Sequence, residues 1–196
     1  MAVRLETLHE RPDLPAYELP RTLADAYGGT IGFDGPTLYA NFVTSLDGVV
    51  AVDDEPPSVV SGKSEADRFM MGLLRACAEV VIVGAGTLRA EPDHLWTAEH
   101  IYPDLSAAFA ELRSSLGLPS VPRLVLLTES GEIDPGGRAF EQQGAVVVTG
   151  EAGARRLQGR LPAEHCEDNV VRDGEFFSRI VLEQDLLRFN PHDTGA

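Results

Sequence analysis

Short apolar runs that alternate with helical segments limit what this chain can fold into. The runs are EVVIV at 79–83, RLVLL at 123–127 and AVVV at 145–148. After the charged first residues of two runs, Glu79 and Arg123, they are apolar, which is typical of strands buried on both faces of a sheet, and we expect 79–83 to be central. Strands that alternate with helices indicate an α/β fold with a mostly parallel central sheet flanked by helices. A fourth apolar run, SRIVLEQ at 178–184, is predicted to add a strand.

Helices are predicted between these strands, at 64–77, at 104–115 and within 151–161. A serine, either Ser61 or Ser64, is the candidate N-cap of the first helix. Its apolar residues recur at helical spacing and predict one buried face: Phe69, Met70, Leu73, Leu74 and Cys77.

The first 36 residues differ from the rest of the chain. They are Pro-rich at first and contain one short predicted helix, RTLADAY, which ends at Gly28 and Gly29. We expect residues 1–36 to form an arm that packs on a single domain, 37–196. That domain begins with a predicted strand, TLYANFV at 37–43, a turn, SLDG, and a second short strand, VVAV at 49–52.

Composition excludes several classes of function. The formal net charge is −15, which argues against nucleic acid as the main partner because phosphate contacts need clustered Lys and Arg. No apolar run approaches the length of a membrane span, and the N-terminus has no apolar segment of the secretory type. Two cysteines, Cys77 and Cys166, form no metal pattern and no disulfide framework. We therefore expect a cytoplasmic protein that binds neither nucleic acid, membrane nor metal.

Small and hydroxyl residues follow three of the predicted strands, as GAGT at 84–87, TES at 128–130 and TG at 149–150. In open α/β sheets, ligands bind beyond the carboxyl ends of the strands, where backbone N–H groups can approach phosphates. The same residues also form ordinary turns and N-caps, and the spacing leaves both interpretations open. GAGT lacks the dinucleotide fingerprint, and the chain has neither a Walker lysine nor a serine-hydrolase elbow.

The longer motifs resemble the pyrimidine reductases of riboflavin biosynthesis, the reductase half of the RibD deaminase–reductase. The resemblance rests on ANFVTSLDGVVA, then SGKSEADRFMMGLLRACAEVVIVGAGTLRAEPDHL, then PRLVLLTES, in this order over about 37–150. It implies a dihydrofolate-reductase-like fold and a possible homodimer. It also implies NADPH as hydride donor and a ribosylamino-pyrimidine 5′-phosphate as substrate, whose ribose is reduced.

The resemblance also implies which residues meet the two ligands. Cofactor positions are Thr44, Gly84, Thr87, Glu91 in place of the usual Asp, Thr128 and Ser130. Substrate positions are Ser45, Ser58, Ser61, Arg75, Leu95 and Glu183. Asp47 is open to two interpretations, a turn cap or a group that polarises substrate, and the Asp-Gly pair favours the turn.

The C-terminal part departs from the family pattern. Gln184 and Asp185 stand where the family has two glycines after its Glu, so a backbone of positive φ is disfavoured and a negative charge is added near a diphosphate. Relative to the family, the segment after 150 also looks shortened. Three hypotheses follow: a pyrimidine reductase, a ligand-binding pseudoenzyme, and a pteridine- or folate-type reductase of the same fold.

Overall fold

The structure, a computed structural model, describes residues 3–10, 12–49, 59–161 and 170–171. Six α-helices lie in these residues: α1 Arg21–Tyr27, α2 Glu65–Cys77, α3 Ala85–Ala90, α4 Ala98–Ile101, α5 Ser106–Ser115 and α6 Glu151–Leu157. Four strands lie among them: β1 Val80–Gly84, β2 Arg123–Leu127, β3 Ala145–Val148 and β4 Val170–Val171. A 3₁₀ turn, Pro103–Leu105, precedes α5, and a π-helical turn, Ala139–Gln143, precedes β3.

The strands form one parallel sheet in the order β1-β2-β3-β4. The register pairs Val80 with Arg123 and Gly84 with Leu127, so β1 and β2 end together. Leu124 and Leu126 are buried in one apolar cluster, and Val125, which points to the opposite face, is buried as well. Burial of both faces confirms the predicted α/β class with a parallel sheet flanked by helices.

The predicted helices are confirmed with small shifts of their bounds. Ser64 is the N-cap of α2, since its Oγ accepts a hydrogen bond from the Asp67 N–H at 3.3 Å. Acidic Glu65 and Asp67 lie in the first turn and Arg75 in the last, as the helix dipole favours. Gly28 ends α1 with a φ of 74°, which is the left-handed conformation that glycine adopts without strain.

Two apolar clusters hold the described residues together. The sheet cluster packs β1, β2 and β3 against α3, α6 and the π-helical turn, and includes Val83, Leu88, Trp96, Leu126, Phe140 and Leu157. The helical cluster joins α1, α2, α4 and α5 through Leu23, Phe69, Leu73, Tyr102, Phe109 and Leu112. The predicted N-terminal arm thus shares a core with the helices that follow it.

The predicted strand at 37–43 is wrong, because this segment has no strand structure. Tyr39 instead stacks on Phe33 at 4.9 Å and donates its hydroxyl to the Leu74 carbonyl at 2.6 Å. Phe42 is 81% exposed. The alternating pattern shows which side chains can share a face, but a strand also needs a neighbouring strand to pair with. Here Tyr39 contacts α2 instead.

The prediction that 79–83 is central is also wrong for the described sheet, where β1 has a neighbour on one side only and Ile82 is exposed. The apolar run predicts burial, but within β1 only Val83 is buried, so composition alone does not distinguish an edge strand from an interior one. Of the second predicted strand, 49–52, only Val49 lies in the described residues, and the run at 178–184 lies outside them.

Candidate functional site

The carboxyl ends of β1, β2 and β3 lie side by side at one edge of the sheet. Gly84 pairs with Leu127, Leu127 pairs with Val148, and the Thr128 N–H donates to the Val148 carbonyl at 2.9 Å. This register brings together the ends of the three strands that small and hydroxyl residues follow, and the predicted cofactor residues Gly84, Thr87, Thr128 and Ser130 lie after β1 and β2. We call this part of the molecule, Gly84–Thr87 with Thr128–Ser130 and Thr149–Gly150, the carboxyl edge.

Open space adjoins part of the carboxyl edge. A Cβ atom placed on Gly84, Gly86 or Gly150 would meet no other described atom within 4 Å. The opposite holds at Gly131 and Gly153, where the loop after β2 touches α6 and a Cβ on Gly153 would lie 2.9 Å from the Gly131 nitrogen. As far as the described residues show, the edge is therefore closed between β2 and α6 and open at the ends of β1 and β3.

The hydroxyls of Thr128 and Ser130 shape the turn after β2. Thr128 Oγ1 accepts from the Gly131 N–H at 3.1 Å, and Ser130 Oγ accepts from the Glu132 N–H at 3.2 Å. A hydroxyl that accepts one hydrogen bond keeps its own proton for donation. The turn role is thus observed, and the cofactor role of both residues stays a prediction. Thr87 is exposed in α3.

The SLDG segment is a closed turn in which Ser45 and Asp47 are partners. Ser45 exchanges backbone and side-chain hydrogen bonds with Val49, and its Oγ donates to the Asp47 carboxylate. Gly48 has a φ of 87°, so this position favours glycine. The Ser45 hydroxyl holds the pKa of Asp47 below its usual range. These contacts favour the turn role for Asp47 and give Ser45 a structural role that the sequence did not predict. Thr44, just before the turn, is exposed.

Arg75 and Glu91, predicted for different ligands, meet at one histidine. Arg75 Nη1 lies 3.1 Å from His94 Nε2, and His94 Nδ1 lies 3.2 Å from Glu91 Oε2. Arg75 Nη1 also donates to the Thr97 carbonyl at 3.4 Å. An arginine donates and never accepts, so Nε2 is the acceptor and Nδ1 carries the proton that is shared with Glu91. We call Arg75, His94 and Glu91 the arginine relay.

Burial decides the charge states in the arginine relay. Burial and the neighbouring Arg75 and His100 lower the pKa of His94 to about 3, so its imidazole is neutral at pH 7. Burial lowers the pKa of Arg75 to about 10, opposed by the Glu91 carboxylate, and the guanidinium stays charged. The His94 ring packs edge-on to Trp96 and His100, with centroids 5.1 and 4.6 Å away.

Sequence reasoning did not single out His94. Its signal is the i, i+3 spacing from Glu91, which is too common to be recognised without the arginine that approaches from α2. Two of the remaining predicted residues, Leu95 and Ser61, are described. Leu95 follows His94 and is half-buried, and Ser61 lies in the turn before α2, where its carbonyl accepts from the Ser64 N–H. Ser58 and Glu183 lie outside the described residues.

A surface cavity of about 480 Å³ lies elsewhere, between the N-terminal arm, α1, α2 and the segment before α5. Asp25, Glu65 and Asp104 line it beside a single Arg4, so it is unfavourable for an anionic ligand. None of the predicted site residues that the structure describes lines it. Across 3–10, 12–49, 59–161 and 170–171, no His, Cys, Asp and Glu side chains cluster as a metal site would require. In the same residues no helix has the length and apolarity to cross a membrane.

Known proteins of similar structure or sequence support the fold described above. Among solved structures, the chain is similar to a pyrimidine reductase-like protein from Corynebacterium diphtheriae, with 21% identity and a TM-score of 0.54. The match covers 74% of this chain but only 60% of that one, so it bears on the fold, which agrees with the expected dihydrofolate-reductase-like class. Comparison with curated proteins finds no match. The model of the RibD C-terminal domain family matches residues 36–186, and the chain therefore belongs to that family.

Proposed function

We propose that this chain is a reductase of the riboflavin-pathway kind, which uses NADPH to reduce the ribose of a ribosylamino-pyrimidine 5′-phosphate. The observation that carries the proposal is that the family match, 36–186, includes both the carboxyl edge and the arginine relay. The solved relative described as pyrimidine reductase-like supports the same kind of reaction.

The carboxyl edge suits a nicotinamide dinucleotide phosphate. Open space at Gly84, Gly86 and Gly150 lets a phosphate-bearing ligand approach the backbone. Thr87, Thr128 and Ser130 would hold it there through hydroxyl groups. NADPH, when bound, supplies the hydride, and the protein's task is to bind and orient the two ligands.

Arg75 is the group we assign to the substrate phosphate. A guanidinium forms charge-assisted hydrogen bonds to phosphate oxygens and keeps its charge at neutral pH. It lies in the last turn of α2, and its link to Glu91 through His94 connects it to the segment that follows α3. No activated nucleophile is needed for a hydride transfer, in agreement with the sequence.

Turnover tests the proposal. The purified chain is mixed with NADPH and the ribosylamino-pyrimidine 5′-phosphate, and loss of NADPH absorbance is followed. We expect oxidation that requires both ligands, and a substrate without its 5′-phosphate is expected to react with a much higher KM. Absence of NADPH binding at millimolar concentration would contradict every reductase hypothesis. Binding without turnover would instead support the ligand-binding alternative, which Gln184 and Asp185 favour.

A further inference from the structure

We propose that His94 is a positioning residue that holds the Arg75 guanidinium in place to receive a phosphate. The inference rests on the proposed function, because it takes Arg75 as the substrate's phosphate ligand. His94 itself has no contact assigned to substrate or cofactor. Its effect is on the direction in which Arg75 presents its remaining N–H groups.

Both hydrogen bonds that the Arg75 guanidinium makes with described residues use the same nitrogen. Nη1 donates to His94 Nε2 and to the Thr97 carbonyl, at 3.1 and 3.4 Å. Within the part of the chain that the structure describes, Nε and Nη2 have no such partner. One corner of the guanidinium is therefore fixed, and no described residue occupies the other. An arginine held at one corner loses less rotational freedom when a phosphate binds to the other.

Glu91 makes this arrangement specific to one form of the imidazole. Because Arg75 can only donate, Nε2 must be unprotonated, and the Glu91 carboxylate accepts the Nδ1–H at 3.2 Å. Protonation of Nε2 would remove the acceptor and place a second cation against Arg75. Among the residues that the structure describes, the other charged or titratable groups that face this ring are His100 of α4 and, beyond His100, Arg138, and no carboxylate besides Glu91 is seen to compete for Arg75.

Binding of ribose 5-phosphate by the whole chain tests the inference independently of turnover. His94→Leu removes the acceptor, and we expect the Kd to rise about tenfold, the worth of one charge-assisted hydrogen bond. His94→Gln keeps an acceptor oxygen near the Nε2 position and should stay within about threefold of the parent chain. His100→Leu is the matched control, since it alters the same cluster without touching Arg75, and unphosphorylated ribose should not distinguish the variants.

A second measurement does not depend on any ligand. Imidazole ¹⁵N chemical shifts at pH 7 should show His94 as the neutral Nδ1–H tautomer, with Nε2 as acceptor. An Nε2–H tautomer or an imidazolium would overturn the inference. So would unchanged ribose 5-phosphate affinity in His94→Leu, or equal losses in His94→Leu and His94→Gln. If NADPH is never oxidised but these binding results hold, the proposed function fails while the role of His94 stands.

Discussion

At the residue scale, the buried side chain of Arg113 forms hydrogen bonds with carbonyl groups at the end of α2. Its side chain is 1% exposed, and its Nη1 donates to the carbonyls of Arg75, Ala76 and Ala78 at 2.9, 3.3 and 2.7 Å. The last turn of a helix leaves carbonyls without intrahelical partners, and a cation there opposes the negative end of the dipole. Arg113 therefore stabilises the end of α2 at which Arg75 lies.

Replacement of Arg113 should be strongly destabilising. We expect Arg113→Met to lower the free energy of unfolding by about 3 kcal/mol, because carbonyls at the end of α2, in buried or part-buried positions, lose a charged donor. Denaturation by urea measures this. Arg155→Met is the control, since Arg155 is 71% exposed and its pair with Glu151 should contribute less than about 0.5 kcal/mol. Equal effects of the two substitutions would contradict the capping role.

His94 should make stability depend on pH. Its pKa is about 3 in the folded protein and 6.5 as the ordinary value, so between these limits only the unfolded chain binds the proton. Stability is then fully present above pH 6.5 and falls as the pH is lowered, by at most about 1.4 kcal/mol per pH unit. Urea denaturation between pH 7 and 5 should show a weaker pH dependence in His94→Leu than in the parent chain. An equal pH dependence in His94→Leu and the parent chain would contradict the assignment.

Thr87 tests the cofactor side of the site at the same scale. Thr87→Val keeps the shape of the side chain and removes the hydroxyl, so we expect the Kd for NADPH to rise about tenfold while stability changes by less than about 0.5 kcal/mol. Calorimetric titration and thermal unfolding measure the two quantities. An unchanged Kd would remove Thr87 from the site.

At the element scale, the loop after β2 and helix α6 approach each other through two glycines. A Cβ on Gly131 would lie 2.6 Å from the Gly153 carbonyl oxygen, and Gly131 also has a φ of 69°. This contact closes one side of the carboxyl edge, so the packing of two elements determines where the open space lies.

Substitution at this contact should force the two elements apart. We expect Gly153→Ala to cost about 2 kcal/mol, because neighbouring backbone atoms would have to move. Gly86→Ala is the matched control: it lies in open space within α3, where alanine should be neutral or stabilising. Thermal unfolding of both variants decides between tight packing and a tolerant loop.

Elements differed in how far the sequence could predict them. Helix α2 was predictable because its capping serine, helical spacing and terminal charges all agree. Strands β1, β2 and β3 were predictable as apolar runs. Residues 37–43 carry an equally good strand pattern, yet Tyr39 bonds to α2, and only the three-dimensional arrangement decides between these partners. Helices as short as α4 bury too few residues for an apolar repeat at helical spacing to be recognised in the sequence.

At the scale of the whole molecule, the arginine relay joins the two apolar clusters. Arg75 comes from α2 of the helical cluster, whereas Glu91 follows α3 of the sheet cluster. Resemblance identified both residues, but their meeting at His94 could not be predicted, because it depends on how two separate elements pack. The carboxyl edge was predictable in outline, since parallel strands place their ends together.

Backbone amide shifts during an NADPH titration test the account most directly. We predict saturable shifts at Gly84–Thr87, Thr128–Ser130 and Gly150, with little change around the acidic surface cavity at Thr22 and Tyr102. The absence of saturable shifts at millimolar NADPH, or shifts confined to that cavity, would contradict the assignment of the carboxyl edge as the cofactor site.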